Sequence, residues 1–267
     1  TNNAIISENK NSRLAMVQVN APGLNKNAVS LKNNGSIYLT GAGSVGIYAN
    51  YGIIENNGKI GVTGANSYAI YGTNGTEVKT SQNSKIDVKN GGIGIVLQSH
   101  LADSNGGNYG DGTIKLEHNG TINIEGEKSF AVYADNNEIA PVLDLSSKIV
   151  NLNAGSMINL NSGVGVYAKK VTVNSSGKII IKGTGTGIYS KDSKVNISGA
   201  EIELAGTGSA GIILKGNSLL TATSGTINVT GNNNTVFVIG EQAKADGLEN
   251  FNINVTPGMT LTLVDIQ

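Results

Sequence analysis

The 267-residue chain has no cysteine and no tryptophan, three phenylalanines, three prolines, two histidines and a single arginine, Arg13. Each scarcity removes a class of explanation. Without cysteine there is no disulfide framework and no thiolate metal site, although bacterial surface proteins also avoid cysteine and the compartment stays open. His100 and His118 are the only imidazoles, and neither H-E-x-x-H nor G-x-S-x-G occurs, so a nucleophilic triad has little to be built from. Nineteen basic residues against nineteen acidic ones leave no net charge and no basic stripe to follow phosphates, so no nucleic-acid partner is expected. The longest apolar runs, such as residues 236–239, are far too short to span a bilayer. No leader segment is visible, and a chain beginning at Thr1 reads as a piece of something longer.

What is abundant is glycine and asparagine, with 37 and 36 residues. Both tolerate left-handed backbone, so a turn every few residues is expected. Such a composition also suits disorder, but 39% apolar residues in regular positions argue against it.

The regularity is an internal repeat. A first strand reads GSIYLTG at 35–41, GKIGVTG at 58–64, SKIDVKN at 84–90, GTINIEG at 120–126 and SMINL at 156–160. It returns as GKIIIKG at 177–183, AEIEL at 200–204, GTINVTG at 225–231 and INV at 253–255. The leading isoleucines, from Ile37 to Ile253, are 23, 26, 36, 36, 21, 23, 25 and 26 residues apart. About four residues later comes a second strand: GIY at 46–48, AIY at 69–71, GIV at 94–96, AVY at 131–133, GVY at 165–167, GIY at 187–189, GII at 211–213 and VFV at 236–238. A degenerate early copy sits at 15–17, and a third, more variable strand precedes each next copy at 53–54, 78, 114–116, 171–173, 195–197 and 219–220.

Strict apolar/polar alternation over short runs bounded by glycine and asparagine is the half-buried strand pattern. Three such strands in 21–26 residues make a coil too small to bury its own apolar face. Stacking buries it. The fold class is therefore all-β, a right-handed parallel β-helix of about nine to ten coils with three short strands per coil, forming one segment over residues 1–267. A β-sandwich would need antiparallel hairpins, which identical strands in fixed order do not suggest. Ile37 and Leu39 share the interior face, as do Ile47 and Ala49, whereas Tyr48 falls on the opposite face together with Gly46. Asn34, Asn57 and Asn119, each before a glycine, read as turns at positive φ. The irregular ends, 1–12 and 260–267, read as caps or frayed tails that leave coil edges open.

Candidate functional residues fall in two groups. The two 36-residue intervals carry longer loops at about 98–112 and 134–147, and insertions in a solenoid leave one face and often bind. His100, Asp103, Tyr109 and Asp111 lie in the first; Asp135, Asn136, Asn137 and Glu138 lie in the second. The glycine-rich segment 103–111 offers oxygen ligands for calcium but fails EF-hand spacing, because Ile114 stands where the bidentate glutamate belongs. The second group is an aromatic column, Tyr48, Tyr71, Tyr133, Tyr167 and Tyr189, which either stacks on itself or offers sugar rings a platform. GAGSVG at 41–46 and GTGSAG at 206–211 match a dinucleotide fingerprint, but a strand follows each where a helix is required, so no cofactor is expected. Glu201 and Glu203 project from one strand face. A β-helical polysaccharide lyase or glycoside hydrolase, which needs clustered carboxylates or a basic residue at the cleavage point, is therefore the alternative to a non-enzymatic chain.

G-x-I-x-[LVI]-x-G followed by S-x-[GA]-I-Y, in a lysine- and asparagine-rich chain poor in arginine and cysteine, resembles the passenger region of large fusobacterial type V autotransporter adhesins. The copies carrying the resemblance run from Gly35 to about Val238. It implies a β-helical stalk on the outer face of the outer membrane, attaching to a protein or glycan of a host cell or another bacterium, with the membrane barrel elsewhere in the full protein.

Overall fold

The structure, a computed structural model, describes residues 1–8, 15–20, 30–99, 112–137 and 145–267. The described chain is all-β apart from one short 3-10 turn, Leu248–Asn250, and every strand pairing in it is parallel. It is a parallel β-helix of about nine coils. Three rows of strands run along the stack. The first row starts with Ile5–Glu8, Ser36–Leu39 and Lys59–Val62, the second with Ala15–Asn20, Val45–Asn50 and Tyr68–Thr73, the third with Ser30–Asn33, Ile53–Asn56 and Glu77–Thr80.

The repeat read from the sequence is the register of the stack. Ile6, Ile37, Ile60, Ile86, Ile122, Ile158, Ile179, Ile202, Ile227 and Ile253 pair one after another along the first row. The third row aligns Leu31, Ile54, Val78, Leu116, Val150, Val173, Val195 and Leu220 in the same way. Alternation sends these side chains inward, where those from Ile37 to Ile227 and from Ile54 to Leu220 are at most 1% exposed. Each buried isoleucine or leucine contributes on the order of 1.5–3 kcal/mol, and no single coil could supply that burial alone.

Several local readings change. Coils do not always have three separate strands: Lys194–Leu204 and Leu219–Val229 are eleven residues long and carry the third row round the corner into the first. A register shift around Ser198 absorbs the bend, Gly199 sits at φ 74°, and its N–H donates to Ser224 Oγ at 3.0 Å. Neither end is frayed where it is described. Ile5–Glu8 pairs with Ser36–Leu39, and Leu261–Ile266 pairs with Asn234–Ile239. Gly46 does not share the face of Tyr48. A Cβ there would point at Ile60 Cγ2, 3.2 Å away in the core, because the row bends at this residue and pairs Val45 and Ile47 but not Gly46.

The Asn-Gly pairs also differ from expectation. Positive φ falls not on Asn34, Asn57 or Asn119 but at two other corners, after the second row at Tyr51, Asn74, Lys170 and Asp192 and before it at Asn66, Asn90 and Asn233. Glycine is needed at Gly58 for close approach instead: a Cβ would lie 1.9 Å from the Gly35 carbonyl of the preceding coil. The asparagine beside it stacks, with Asn57 Nδ2 donating to Asn34 Oδ1 at 2.9 Å.

Candidate functional site

The outer surface of the stack is built from the polar half of each alternating strand, so its side chains also meet in register every ~4.8 Å. Asparagine uses that spacing to form hydrogen-bonded chains. Asn159 donates to Asn123 at 2.8 Å, and Asn123 to Asp87 at 2.6 Å. Asn196 donates to Asn174, Asn174 to Asn151, and Asn151 to Glu117 at 2.7 Å. Asn254 donates to Asn228 and Asn228 to Glu201. A carboxylate only accepts, so it fixes the direction of every amide behind it. This accounts for much of the asparagine.

The aromatic column lies on the outer side of the second row, half-buried, and it stacks on itself. Tyr133 and Tyr167 are 4.7 Å apart at 6°, Tyr167 and Tyr189 5.4 Å at 7°, Tyr48 and Tyr71 5.8 Å at 20°. Phe130 meets Tyr133 and Tyr167 edge-on. Ring faces inside the pile are covered by one another, so the column presents edges and hydroxyls rather than a sugar platform. Burial raises the pKa of Tyr71, Tyr133 and Tyr167, and the Asp135 carboxylate helps push Tyr133 up to about 12.

Of the loop candidates, His100, Asp103, Tyr109, Asp111 and Glu138 lie outside the described residues. Asp135 and Asn136 are not loop residues: they close the strand Phe130–Asn136, and both are buried. Residues 98 and 99 likewise belong to Ile93–Ser99. Ser99 and Asn136 pair in register, and Asn137 N–H donates to Ser99 Oγ at 3.2 Å, so the described residues on the N-terminal side of both insertions end at one corner on adjacent coils. Beside that corner Asp135 accepts the Tyr133 hydroxyl at 3.2 Å and pairs with Lys169 at 3.2 Å, while Tyr71 donates to Gln98 Oε1 at 2.7 Å. The alternation of the sequence reached Tyr71 and Tyr133; Gln98, which accepts from Tyr71, and Lys169, which pairs with the Asp135 that accepts from Tyr133, carry no motif of their own.

His118 faces the core. It is fully buried, Thr80 Oγ1 lies 2.8 Å from its Nδ1, and burial lowers its pKa to about 4. Thr80 Oγ1 accepts the Asn119 N–H at 2.9 Å and the Gly120 N–H at 3.4 Å, which occupies both lone pairs and directs its own hydrogen to Nδ1 of a neutral ring. Glu201 and Glu203 share one cation, Lys178, at 2.8 and 3.4 Å. Among the described residues no group of three or more His, Asp or Glu side chains is placed to hold a metal, and no helix is long and apolar enough to cross a membrane.

The outer side of the first row holds a shallow open groove of about 440 Å³, lined among others by Lys85, Asp87, Asn123, Glu125 and Asn159. Four of its charges pair, Lys85 with Asp87 at 3.1 Å and Lys89 with Glu125 at 2.7 Å, and Lys182 adds a third cation to the lining. Two coils toward the N-terminus from Asp87, in the same outward register, stands Tyr38. It is 40% exposed and was not singled out by any sequence pattern. No family model, curated protein or solved structure matches this chain.

Proposed function

We propose that the chain is a non-enzymatic segment of a bacterial cell-surface autotransporter adhesin, a rigid β-helical stalk that also carries binding surface for cell–cell or host attachment. The observation that supports this most is the unbroken in-register stack from Ile6 to Ile253, which converts sequence length into reach. Long polar faces offer surface along a continuous core. The resemblance of the repeat motifs to those of fusobacterial passengers favours display outside the outer membrane.

The test is attachment. Beads carrying the purified chain are incubated with epithelial cells and with partner bacteria, and adhesion is counted against bare beads and beads carrying an unrelated β-helix. Adhesion above both controls is expected. Adhesion equal to the controls on every cell type would reduce the role to a spacer.

A further inference from the structure

We infer that the outer side of the second row, around Lys191, binds a linear anionic glycan bearing sulfate or carboxylate groups, laid along the rod axis. The inference rests on the surface-binding reading above and names a ligand class and a site for it.

A column of lysines carries the argument. Lys169, Lys191 and Lys215 pair one above another on consecutive coils, each two residues after Tyr167, Tyr189 or Ile213 and on the same outward face. The column covers two coil spacings, roughly 10 Å. Like charges directly opposite one another destabilise a sheet. Elsewhere the stack offsets its lysines: Lys32 meets Glu55, Lys89 meets Glu125, and Lys85, which stands opposite Lys59, is held by Asp87. Here the offset stops after one coil. Lys169 pairs with Asp135 at 3.2 Å, whereas Lys215 donates to the neutral side chain of Gln267. Lys191, exposed between them, pairs with no carboxylate among the described residues. Lys170 and Lys194 add two more cations at the corners that follow. In the strands Gly163–Lys169, Gly185–Lys191 and Ala210–Lys215 and these corners the one carboxylate is Asp192, and its Oδ1 already accepts the Asn217 N–H at 2.9 Å. Glu241 and Asp265 lie beyond Lys215, toward the last coils. A chain of zero net charge thus concentrates positive charge along one line.

The tyrosines beside this line fit the uncharged part of such a ligand. In the earlier coils their hydroxyls reach the column two residues on, Tyr71 donating to Gln98 at 2.7 Å and Tyr133 to Asp135 at 3.2 Å. Tyr167 and Tyr189 stand in the same register beside Lys169 and Lys191, so a glycan crossing the lysines also meets phenol hydroxyls. A pyranose ring is about as long as one coil is tall, and sulfates or carboxylates recur at every ring or every second ring, so the charges of the polymer meet successive ammonium groups. Single-stranded nucleic acid fits less well. Its binders stack bases on open aromatic faces, whereas these rings cover one another, and the cations here are all lysine point charges without the fork of arginine.

The test uses the whole chain and four soluble probes: a heparin dodecasaccharide, a hyaluronan dodecasaccharide, neutral cellohexaose and a thymidine dodecanucleotide. Calorimetry is run on the wild type, Lys191→Gln/Lys215→Gln, Lys191→Arg/Lys215→Arg and, as a control that removes the same charge elsewhere, Lys32→Gln/Lys59→Gln. At least one anionic glycan is expected to bind the wild type, with affinity falling roughly tenfold or more in Lys191→Gln/Lys215→Gln. The arginine variant and the control should bind as the wild type does, and cellohexaose should not bind. Sodium chloride at about 1 M, where charges are screened beyond about 3 Å, should abolish binding. Should the glutamine variant fail to fold, the Lys191 side-chain resonances of the wild type serve instead, and must shift on titration. Binding of neither anionic glycan, an equal loss in the control, unshifted Lys191 resonances, or tighter binding of the oligonucleotide would each overturn the inference. Cell adhesion without glycan binding would overturn this site and leave the stalk reading standing. Glycan binding without any adhesion would do the reverse.

Discussion

Ile122 and Asn123 are neighbours with opposite environments: Ile122 is fully buried, while Asn123 faces outward and donates to Asp87. Ile122→Asp buries an unpaired carboxylate, and a loss of several kcal/mol in chemical denaturation is expected, on the order of 3–5 kcal/mol by analogy with broken buried pairs. Asn123→Asp is not silent either. It removes an amide donor and sets one carboxylate opposite another, for a loss of about 1–2 kcal/mol. His118 gives a pH test. Its folded pKa of about 4 lies below the ordinary 6.5, so the unfolded chain binds the proton first as pH falls. The stability from burying it neutral is fully present above about pH 6.5 and is lost as pH falls toward 4, by roughly 3 kcal/mol. Leu152 occupies the same position one coil on, so His118→Leu is accommodated, and its stability should show a flatter dependence over that window than the wild type's.

At the scale of elements, the tyrosine pile is a stabilising device. Tyr167 is the middle ring of three, so Tyr167→Ala loses two stacked contacts and should cost about 2–4 kcal/mol in urea unfolding. Tyr189→Ala, at the end of the same three, should cost less. In alkaline spectrophotometric titration Tyr133, pushed up to about 12, should ionise well after the ordinary tyrosine range near pH 10. The strands of this pile were legible in the sequence because alternation puts Ile188 and Tyr189 on opposite faces; that the tyrosine side faces outward was not, because it depends on the bend at the preceding glycine. The bend at Gly46 was not, since a residue skipped by the hydrogen-bond ladder leaves no trace in an apolar/polar pattern. Val150 was also missed, although it continues the interior row, because its strand Lys148–Leu152 adjoins the second insertion. Asp135 and Asn136 looked like loop residues for a related reason: polar side chains at a strand end read the same whether they are exposed or buried beneath neighbours. The lysine column was hidden differently. Lys169, Lys191 and Lys215 lie 22 and 24 residues apart and line up only when the coils are stacked.

At the scale of the whole molecule, the central claim is that distance along the rod follows coil number and not sequence separation. The absence of cysteine makes this directly measurable with paired nitroxide labels. Lys59, Lys85, Thr121, Met157, Lys178, Glu201, Thr226 and Asn252 occupy one outward row. Pulsed dipolar spectroscopy on Lys59→Cys/Thr226→Cys and Lys59→Cys/Asn252→Cys should give narrow distributions near ~29 and ~34 Å, six and seven coil spacings of ~4.8 Å. A broad distribution, or a second distance no longer than the first, would contradict the rigid parallel stack on which the account depends.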